Sequence, residues 1–401
     1  MYRSIGQITR DCFESPGSAP RVLPMEGLRG LAVLSVFFVH AHAFFGSYLS
    51  NFPRLFNLSE YLGRVGNAGV DLFFVLSGFI IYAALIQKPL SYSTFLWRRV
   101  KRIYPTFIAV LALYLLLSVI FPAESRLPAS AIDRIKYVFE NLLLLPGVFR
   151  ITPIITVAWS LSFEFAFYLC VPLVAFLTAR SKDNAHRIAI LSLLWIAFVL
   201  SEFFVFHGGH IRMLSFISGM LLQEVIASGT LARYLTSKGQ WIAIAALIGT
   251  ASYHFGTGAK TEGQSNSVLS AALMSVAILF FVLYALKFSG TLQKLCTWTP
   301  MRYWGNVSYS YYLAHGITLK AIAISVERFL PVHHSLFIYL LAMTFGMVAT
   351  WVSASLLYVL VEKPISLAPS KRRGIGSVTP VAPFRWWLRR ERTAAETLGN
   401  S

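Results

Sequence analysis

The chain has 401 residues, of which 56% are apolar and only 13% are charged. This composition excludes an ordinary soluble domain, in which about 45–50% of residues are apolar and about 25% are charged. The formal net charge is +18, but the basic residues recur between long apolar segments, as they do in membrane proteins. The sequence therefore predicts a polytopic membrane protein and no binding to nucleic acid.

Ten apolar segments approach the length of about 20 residues that a helix needs to cross a bilayer. They lie at residues 27–48, 68–87, 104–121, 156–178, 188–206, 211–227, 240–256, 267–287, 307–326 and 336–360. The predicted fold is all-α, with a polar leader (1–24), a transmembrane domain (25–362) and a basic tail (363–401). An even number of spans places both termini on the same side of the membrane.

The positive charges indicate which side that is. If the N-terminus is cytoplasmic, 24 of the 35 lysines and arginines lie in cytoplasmic segments and nine lie in outer loops. This asymmetry predicts that both termini are cytoplasmic. A basic inner face also suits anionic membrane lipid or a phosphorylated ligand.

The first span carries two ionisable residues on one face. Arg29 and His40 are eleven residues apart, which returns them to within about 20° of each other on a helix. Burying such groups is costly, so their alignment predicts a functional site. A neutral imidazole can deprotonate a hydroxyl group or attack a thioester, whereas His42 lies about 200° around the helix from His40. Arg29 lies about 16 Å from His40 along the axis, so it either binds an anionic ligand or is an anchoring arginine.

Two carboxylates are predicted within later spans. Asp71 enters the second span among Phe, Val and Leu residues, and a carboxylate there needs a partner, so orienting His40 is one plausible use. Glu164 and Tyr168 lie one helical turn apart in the fourth span. Glu164 belongs either to the active site or to a structural hydrogen bond between helices.

Other candidates lie in the ninth span and at the inner end of the third. Tyr312 and His315 either line a ligand tunnel or pack in the core. Arg99 and Arg102 belong to a basic cluster that fixes topology and also suits the binding of phosphate groups. Glu362, at the end of the last span, is expected to pair with this cluster.

Six stretches, in this order along the chain, resemble the acyltransferase family 3 membrane proteins, which include O-antigen, exopolysaccharide and Nod-factor O-acetyltransferases. They are MEGLRG at 25–30 with the Arg-X10-His spacing of Arg29 and His40, GVDLFFVLSGF at 69–79, FLWRRVKRIYP at 95–105 with the RxxR pair Arg99 and Arg102, WSLSFEFAFY at 159–168, GNVSYSYYLAH at 305–315 and VEKP at 361–364. The resemblance implies an enzyme of the bacterial inner membrane. It would transfer an acyl group, usually acetyl from cytoplasmic acetyl-CoA, to a sugar hydroxyl at or beyond the outer face.

With this resemblance, the candidate residues take specific roles. We expect catalytic roles for His40, Asp71 and Glu164, and contacts with the acyl-CoA donor from Arg29, Arg99, Arg102, Tyr312 and His315. The three cysteines, Cys12, Cys170 and Cys296, are scattered, which predicts neither a disulfide framework nor a metal site.

The acceptor is expected to be a carbohydrate or glycolipid. No GDS motif occurs in the sequence, so the chain resembles the stand-alone form without a fused extracytoplasmic SGNH domain. The acceptor then either reaches the membrane domain itself or is served by a separate extracytoplasmic partner. A competing interpretation is a transporter or flippase for a glycan or glycolipid, but the sequence has no internal repeat of the kind that many carriers show.

Overall fold

The computed structural model describes residues 12–14, 22–206, 210–231, 234–258, 264–330 and 335–367. Within these ranges the chain forms helices and no β-strand, which confirms the all-α prediction. The helices are α1 (Leu23–Phe45), α2 (Pro53–Gly66), α3 (Ala68–Gln87), α4 (Tyr92–Ile120), α5 (Ala131–Leu142), α6 (Ala158–Ala179), α7 (Asn184–Phe204), α8 (Leu214–Ser228), α9 (Gln240–Tyr253), α10 (Gln264–Lys287), α11 (Thr291–Thr297), α12 (Thr299–Asn306), α13 (Ser308–Phe329) and α14 (Leu336–Leu357). A π-helical segment, Tyr358–Ser366, continues α14.

A helix occupies each of the ten predicted spans, although the helices differ in length and polarity. Among the described residues, eight helices are long and apolar enough to cross a membrane. The other two predicted spans are α9 and α13. Helix α9 has 14 residues before a π-helical turn at His254–Gly258. Helix α13 has 22 residues and carries His315, Lys320 and Glu327, so polarity and not length sets it apart. Because it has several helices of this kind, the chain is a multi-pass membrane protein.

The helices pack closely where glycines face a neighbouring backbone. A methyl group added to Gly305 of α12 would lie 1.7 Å from the carbonyl oxygen of Glu26 in α1. Similarly, a methyl group on Gly219 of α8 would lie 2.1 Å from the carbonyl oxygen of Val75 in α3. Small residues of this kind let transmembrane helix backbones approach each other directly. The positions of α1 and α3 are therefore fixed by contacts that no larger side chain permits.

Aromatic rings fill the space between α3, α6 and α8. The ring of Phe216 stacks on Phe74 at 4.3 Å between centroids and on Phe167 at 4.4 Å. All three rings are buried. Their stack joins the close-packed α3–α8 pair to α6, which carries Glu164 on its partly exposed side.

The long connection between α4 and α6 contains an amphipathic helix, as its sequence suggests. In α5 the apolar side chains of Ile132, Ile135 and Phe139 are 80%, 71% and 57% exposed. They recur at helical spacing and form one ridge, which is typical of a helix lying at a membrane surface. The side chain of Asn141 anchors the segment that follows, because its Oδ1 accepts a hydrogen bond from the Ile154 amide at 2.8 Å.

Part of the predicted leader packs against the predicted start of the tail. The carbonyl oxygen of Cys12 accepts a hydrogen bond from Lys363 Nζ at 2.9 Å. The carbonyl oxygen of Phe13 accepts one from Asn306 Nδ2 at 3.0 Å, and the Phe13 ring lies 5.3 Å from that of Trp351. The remaining leader residues 1–11 and 15–21, and the tail from 368 onward, lie outside the described residues.

We expect Gly219→Ala to destabilise the protein, because its methyl group collides with backbone and overpacking costs about 1–3 kcal/mol. The matched control is Gly249→Ala in α9, where a methyl group would meet nothing within 4 Å. That variant should gain about 1 kcal/mol of helix propensity at most. Thermal unfolding of the detergent-solubilised variants measures both effects. Equal unfolding temperatures for the two variants would contradict the conclusion that the backbone contact at Gly219 fixes the packing of α3 against α8.

Candidate active site

A cavity of about 190 Å³ lies between α1, α3, α4, α6 and α13. Its apolar wall comes mainly from α3. The polar side chains that line it are those of Arg29, Ser77, Arg99, Arg102, Ser160, Glu164, Tyr168, Ser308, Tyr309 and Tyr312. Five of the eight residues predicted to form the site therefore line one space, although they come from four helices.

Two arginines of the cavity have no acidic partner. Arg29 makes no hydrogen bond or ion pair with any residue that the structure describes. Arg99 packs over the rings of Phe95 and Tyr168, with its guanidinium carbon 5.4 and 5.7 Å from the two centroids. Its buried Nε has no hydrogen-bond partner among the described residues. Both guanidinium groups are therefore available to an anionic ligand.

Arg102 is different because it is already neutralised. Its NH1 lies 2.7 Å from Oε1 of Glu362, a carboxylate that is fully buried. The other carboxylate oxygen accepts hydrogen bonds from the amide and hydroxyl groups of Ser310. This ion pair agrees with the expectation that Glu362 pairs with the basic cluster. It also joins the last span to α4 and α13.

Glu164 faces the cavity within a small hydrogen-bond network. Its Oε1 accepts hydrogen bonds from the Tyr168 hydroxyl, one turn away on α6, and from Ser77 Oγ of α3 at 3.2 Å. Tyr168 in turn lies beneath the Arg99 guanidinium. Glu164 therefore makes the hydrogen bond between helices that was one of its two predicted roles, and its carboxylate also lines the cavity.

His40 lies against His315, with ring centroids 4.8 Å apart. His40 is half-buried and is not among the residues that line the cavity. Tyr312 connects the histidine pair to the cavity. It lines the cavity, and its ring centroid lies 6.0 Å from that of His315. The Tyr312 hydroxyl is itself held by Ser160 Oγ at 2.7 Å. His42 lies apart from this group, with its Nδ1 3.0 Å from Ser59 Oγ in α2.

Asp71 is paired with Arg212, which lies in the short turn just before α8. Arg212 approaches both carboxylate oxygens, with Nε at 3.2 Å from Oδ1 and NH2 at 2.6 Å from Oδ2. The Arg212 guanidinium also lies over the Trp159 ring, 4.8 Å from its centroid. Within the described part of the chain, no hydrogen bond joins Asp71 to His40. The structure therefore gives Asp71 a partner that sequence reasoning did not identify.

Sequence reasoning assigned Arg212 no role in the site. It is 141 residues from Asp71, so no local spacing links the two. The role of Tyr309 was also missed, although its hydroxyl donates to the Ile103 carbonyl at 2.8 Å and its ring lies under Arg102. The only sequence signal for Tyr309 is its position close to Tyr312 in the stretch GNVSYSYYLAH at 305–315.

The arrangement combines cations, a carboxylate and an imidazole pair. Unpaired guanidinium groups are suited to phosphate binding, and an imidazole is suited to proton transfer near neutral pH. A cysteine acyl carrier is disfavoured at Cys296, where burial raises the pKa of the thiol to about 12. A thiol protonated at neutral pH is a poor nucleophile.

Comparison with known proteins gives a consistent family match. A family described as an acyltransferase domain matches residues 24–358. O-acetyltransferase OatA of Staphylococcus aureus is 27% identical over 375 residues, covering 86% of this chain and 58% of that protein. Peptidoglycan O-acetyltransferase OatA of Listeria monocytogenes is 26% identical, covering 73% of this chain and 48% of that protein. Acyltransferase MdmB of Streptomyces mycarofaciens is 26% identical, covering 76% of this chain and 81% of that protein. The chain thus spans only part of the two O-acetyltransferases, and no solved structure matches it.

We expect Asp71→Asn to destabilise the protein by about 3 kcal/mol, because removing one partner of a buried ion pair leaves the other charge uncompensated. The matched control is Glu124→Gln, which breaks the pair of Glu124 with Lys320, whose side chains are 52% and 42% exposed. An exposed pair contributes about 1 kcal/mol or less. Thermal unfolding in detergent compares the two. An Asp71→Asn variant of normal stability and no activity would instead place this carboxylate in the chemistry.

Proposed function

The chain belongs to the acyltransferase 3 family, and we propose that it transfers an acetyl group from cytoplasmic acetyl-CoA to a hydroxyl of a cell-surface or exported carbohydrate. We further propose that it acts in the bacterial inner membrane with both termini cytoplasmic. The observation that carries the proposal is the cavity with two unpaired arginines, Arg29 and Arg99, which adjoins the His40–His315 pair through Tyr312. An acyl donor with phosphate groups at one end and a thioester at the other suits such a site.

The cationic part of the cavity would bind the donor. Coenzyme A carries phosphate groups, and guanidinium groups form strong charge-assisted hydrogen bonds with phosphate oxygens. Among the described residues, no carboxylate forms an ion pair with Arg99 or Arg29 that would compete with such a ligand. Arg102 forms an ion pair with Glu362. It would therefore form part of the cavity wall without offering the donor an unpaired charge. Tyr312 would then lie along the path of the acyl arm toward His40.

His40 would act as the general base. The acceptor hydroxyl gives its proton to the bare ring nitrogen of His40 while its oxygen attacks the thioester carbonyl carbon. The carbon–sulfur bond then breaks, and the CoA thiolate leaves and takes up the proton from the imidazolium. We propose direct attack, because a single step needs no acyl-histidine intermediate protected from water. Incubation with radiolabelled acetyl-CoA and no acceptor should then leave His40 unlabelled.

The acceptor is proposed as a carbohydrate because relatives are named as O-acetyltransferases, one of them of peptidoglycan. A hydroxyl-bearing sugar must reach His40 from the outer side, either directly or through a separate extracytoplasmic partner. Mass spectrometry of cell-surface glycans, with and without the protein, identifies the acceptor and also tests the alternative of glycan transport. A transporter would change the amount of a glycan, whereas an acyltransferase changes its O-acetyl content.

We expect His40→Ala to lower acetyl transfer by at least about 10²-fold, the contribution of a positioned general base. The matched control is His42→Ala, two residues along the same helix, which removes contacts with Ser59 and Phe56 that lie apart from the cavity. Glycan O-acetylation is measured in membranes that contain equal amounts of each variant. Activity of His40→Ala within a few-fold of the His42→Ala control would remove His40 from the mechanism.

We expect Arg99→Gln to weaken the binding of acetyl-CoA by about tenfold or more, since a hydrogen bond to a charged group contributes about 1.5–3 kcal/mol. Arg98→Gln is the control, because Arg98 is the adjacent cation of α4 and is exposed. Isothermal titration of purified, folded protein measures both affinities. Equal affinities for the two variants would reduce Arg99 to a charge that fixes topology. Arg102 is a poorer choice because its removal leaves Glu362 buried without its cation.

A further inference from the structure

The ring of His315 is fixed in one tautomer. It is fully buried, and its Nδ1 lies 3.0 Å from the carbonyl oxygen of Tyr311. A carbonyl oxygen can only accept, so Nδ1 must carry the hydrogen. The Tyr311 ring stacks on the imidazole at 5.5 Å with planes 8° apart, and its own hydroxyl lies 3.1 Å from Thr350 Oγ1. Backbone and aromatic packing therefore hold both the orientation and the proton of this ring.

The second nitrogen of His315 is left as a free acceptor. Nε2 is buried and has no hydrogen-bond partner among the described residues. A proton on Nε2 would create a buried cation, and such a charge is expensive without a partner. Nε2 therefore carries a bare lone pair inside the bundle. A buried acceptor without a donor is uncommon in folded proteins and requires an explanation.

The group that packs against this imidazole is His40. The centroid distance is 4.8 Å and the planes meet at 64°. Two imidazoles joined by an N–H···N hydrogen bond have centroids about 5 Å apart, from about 2.9 Å between nitrogens and about 1.1 Å from each nitrogen to its ring centre. The separation of the two rings is thus close to the separation that such a bond requires.

We propose that His315 is the positioning residue of His40: its Nε2 accepts the N–H of His40 and so keeps the opposite nitrogen of His40 free for the acceptor hydroxyl. This inference rests on the proposed function, since it assigns a task within the same acyl transfer. It replaces two sequence-based ideas, namely that His315 contacts the donor and that Asp71 orients His40. Asp71 is bound by Arg212, whereas the imidazole of His315 is in contact with the base.

The pair has a simple proton balance. When the acceptor oxygen attacks the thioester carbon, its proton moves to the free nitrogen of His40. The resulting imidazolium donates its other N–H to His315 Nε2, which shares the positive charge. Breakage of the carbon–sulfur bond releases a thiolate, which removes the proton and returns both rings to their neutral state. No oxidant, metal or further co-reactant is needed.

Two variants separate this role from packing. The amide of glutamine reaches the place of Nε2, so His315→Gln retains an acceptor for His40. The shorter amide of asparagine reaches only the place of Nδ1, so His315→Asn keeps the donor to the Tyr311 carbonyl and loses the acceptor. We expect His315→Asn to lower kcat by about 10²-fold with an unchanged KM for acetyl-CoA, and His315→Gln to retain activity within about tenfold of wild type.

The same full-length proteins are also treated with diethyl pyrocarbonate, and modification of His40 is followed by peptide mass spectrometry. This reaction reports the nucleophilicity of His40 without any acetyl transfer. We expect slower modification in His315→Asn than in His315→Gln, at similar unfolding temperatures.

Three results would overturn the inference: equal His40 modification in the two variants, equal losses of kcat in both, or a raised KM for acetyl-CoA with unchanged kcat, which indicates a donor contact. A wild-type protein that transfers no acetyl group would overturn the proposed function instead. The modification rates would still decide whether His315 orients His40.

Discussion

The structure depends on the requirement that a charge inside a bilayer must have a partner or face a polar space. This requirement divides the buried ionisable groups into two classes. Asp71 with Arg212 and Arg102 with Glu362 are closed pairs that join helices distant in sequence. Arg29 and Arg99 form no ion pair with any described residue and instead line a cavity. A charge without an ion-pair partner is available to a ligand, so the division identifies candidate binding groups without reference to any relative.

Helix packing places these charged groups around one cavity. Close contacts at Gly305 bring the N-terminal part of α1 against α12, and contacts at Gly219 bring α3 against α8. With these pairs fixed, residues of α1, α3, α4, α6 and α13 surround one space, which both Arg29 of the first helix and Arg99 of the fourth line. The cavity thus lies beside two closely packed helix pairs, α1 with α12 and α3 with α8, whose other faces leave space between them. The ion pair of Arg102 with Glu362 holds the last span at the edge of this space.

The sequence predicted mainly features that depend on one helix. Periodicity separated His40 from His42, and the structure confirms that separation, since His42 contacts Ser59 while His40 contacts His315. The spacing of Glu164 and Tyr168 correctly predicted their proximity. The partner of Asp71 could not be predicted, because Arg212 reaches it only through the packing of α3 against α8. For the same reason the contact between His40 and His315 was not foreseen: each residue was recognised separately, but nothing in either helix specifies the other.

The same electrostatic requirement explains why the partner of His40 is an imidazole and not a carboxylate. A carboxylate that oriented His40 would be a buried anion until the base became protonated, and an isolated buried charge costs several kcal/mol or more. A neutral imidazole with a bare nitrogen offers a hydrogen-bond acceptor at a much lower desolvation cost. It stabilises the imidazolium less than a carboxylate would, but it leaves no net charge at rest. The closed pair of Asp71 and Arg212 and the neutral pair of His40 and His315 are therefore two solutions to one problem. The first removes charge from the membrane core by pairing it, and the second allows charge to exist only while a proton is being transferred.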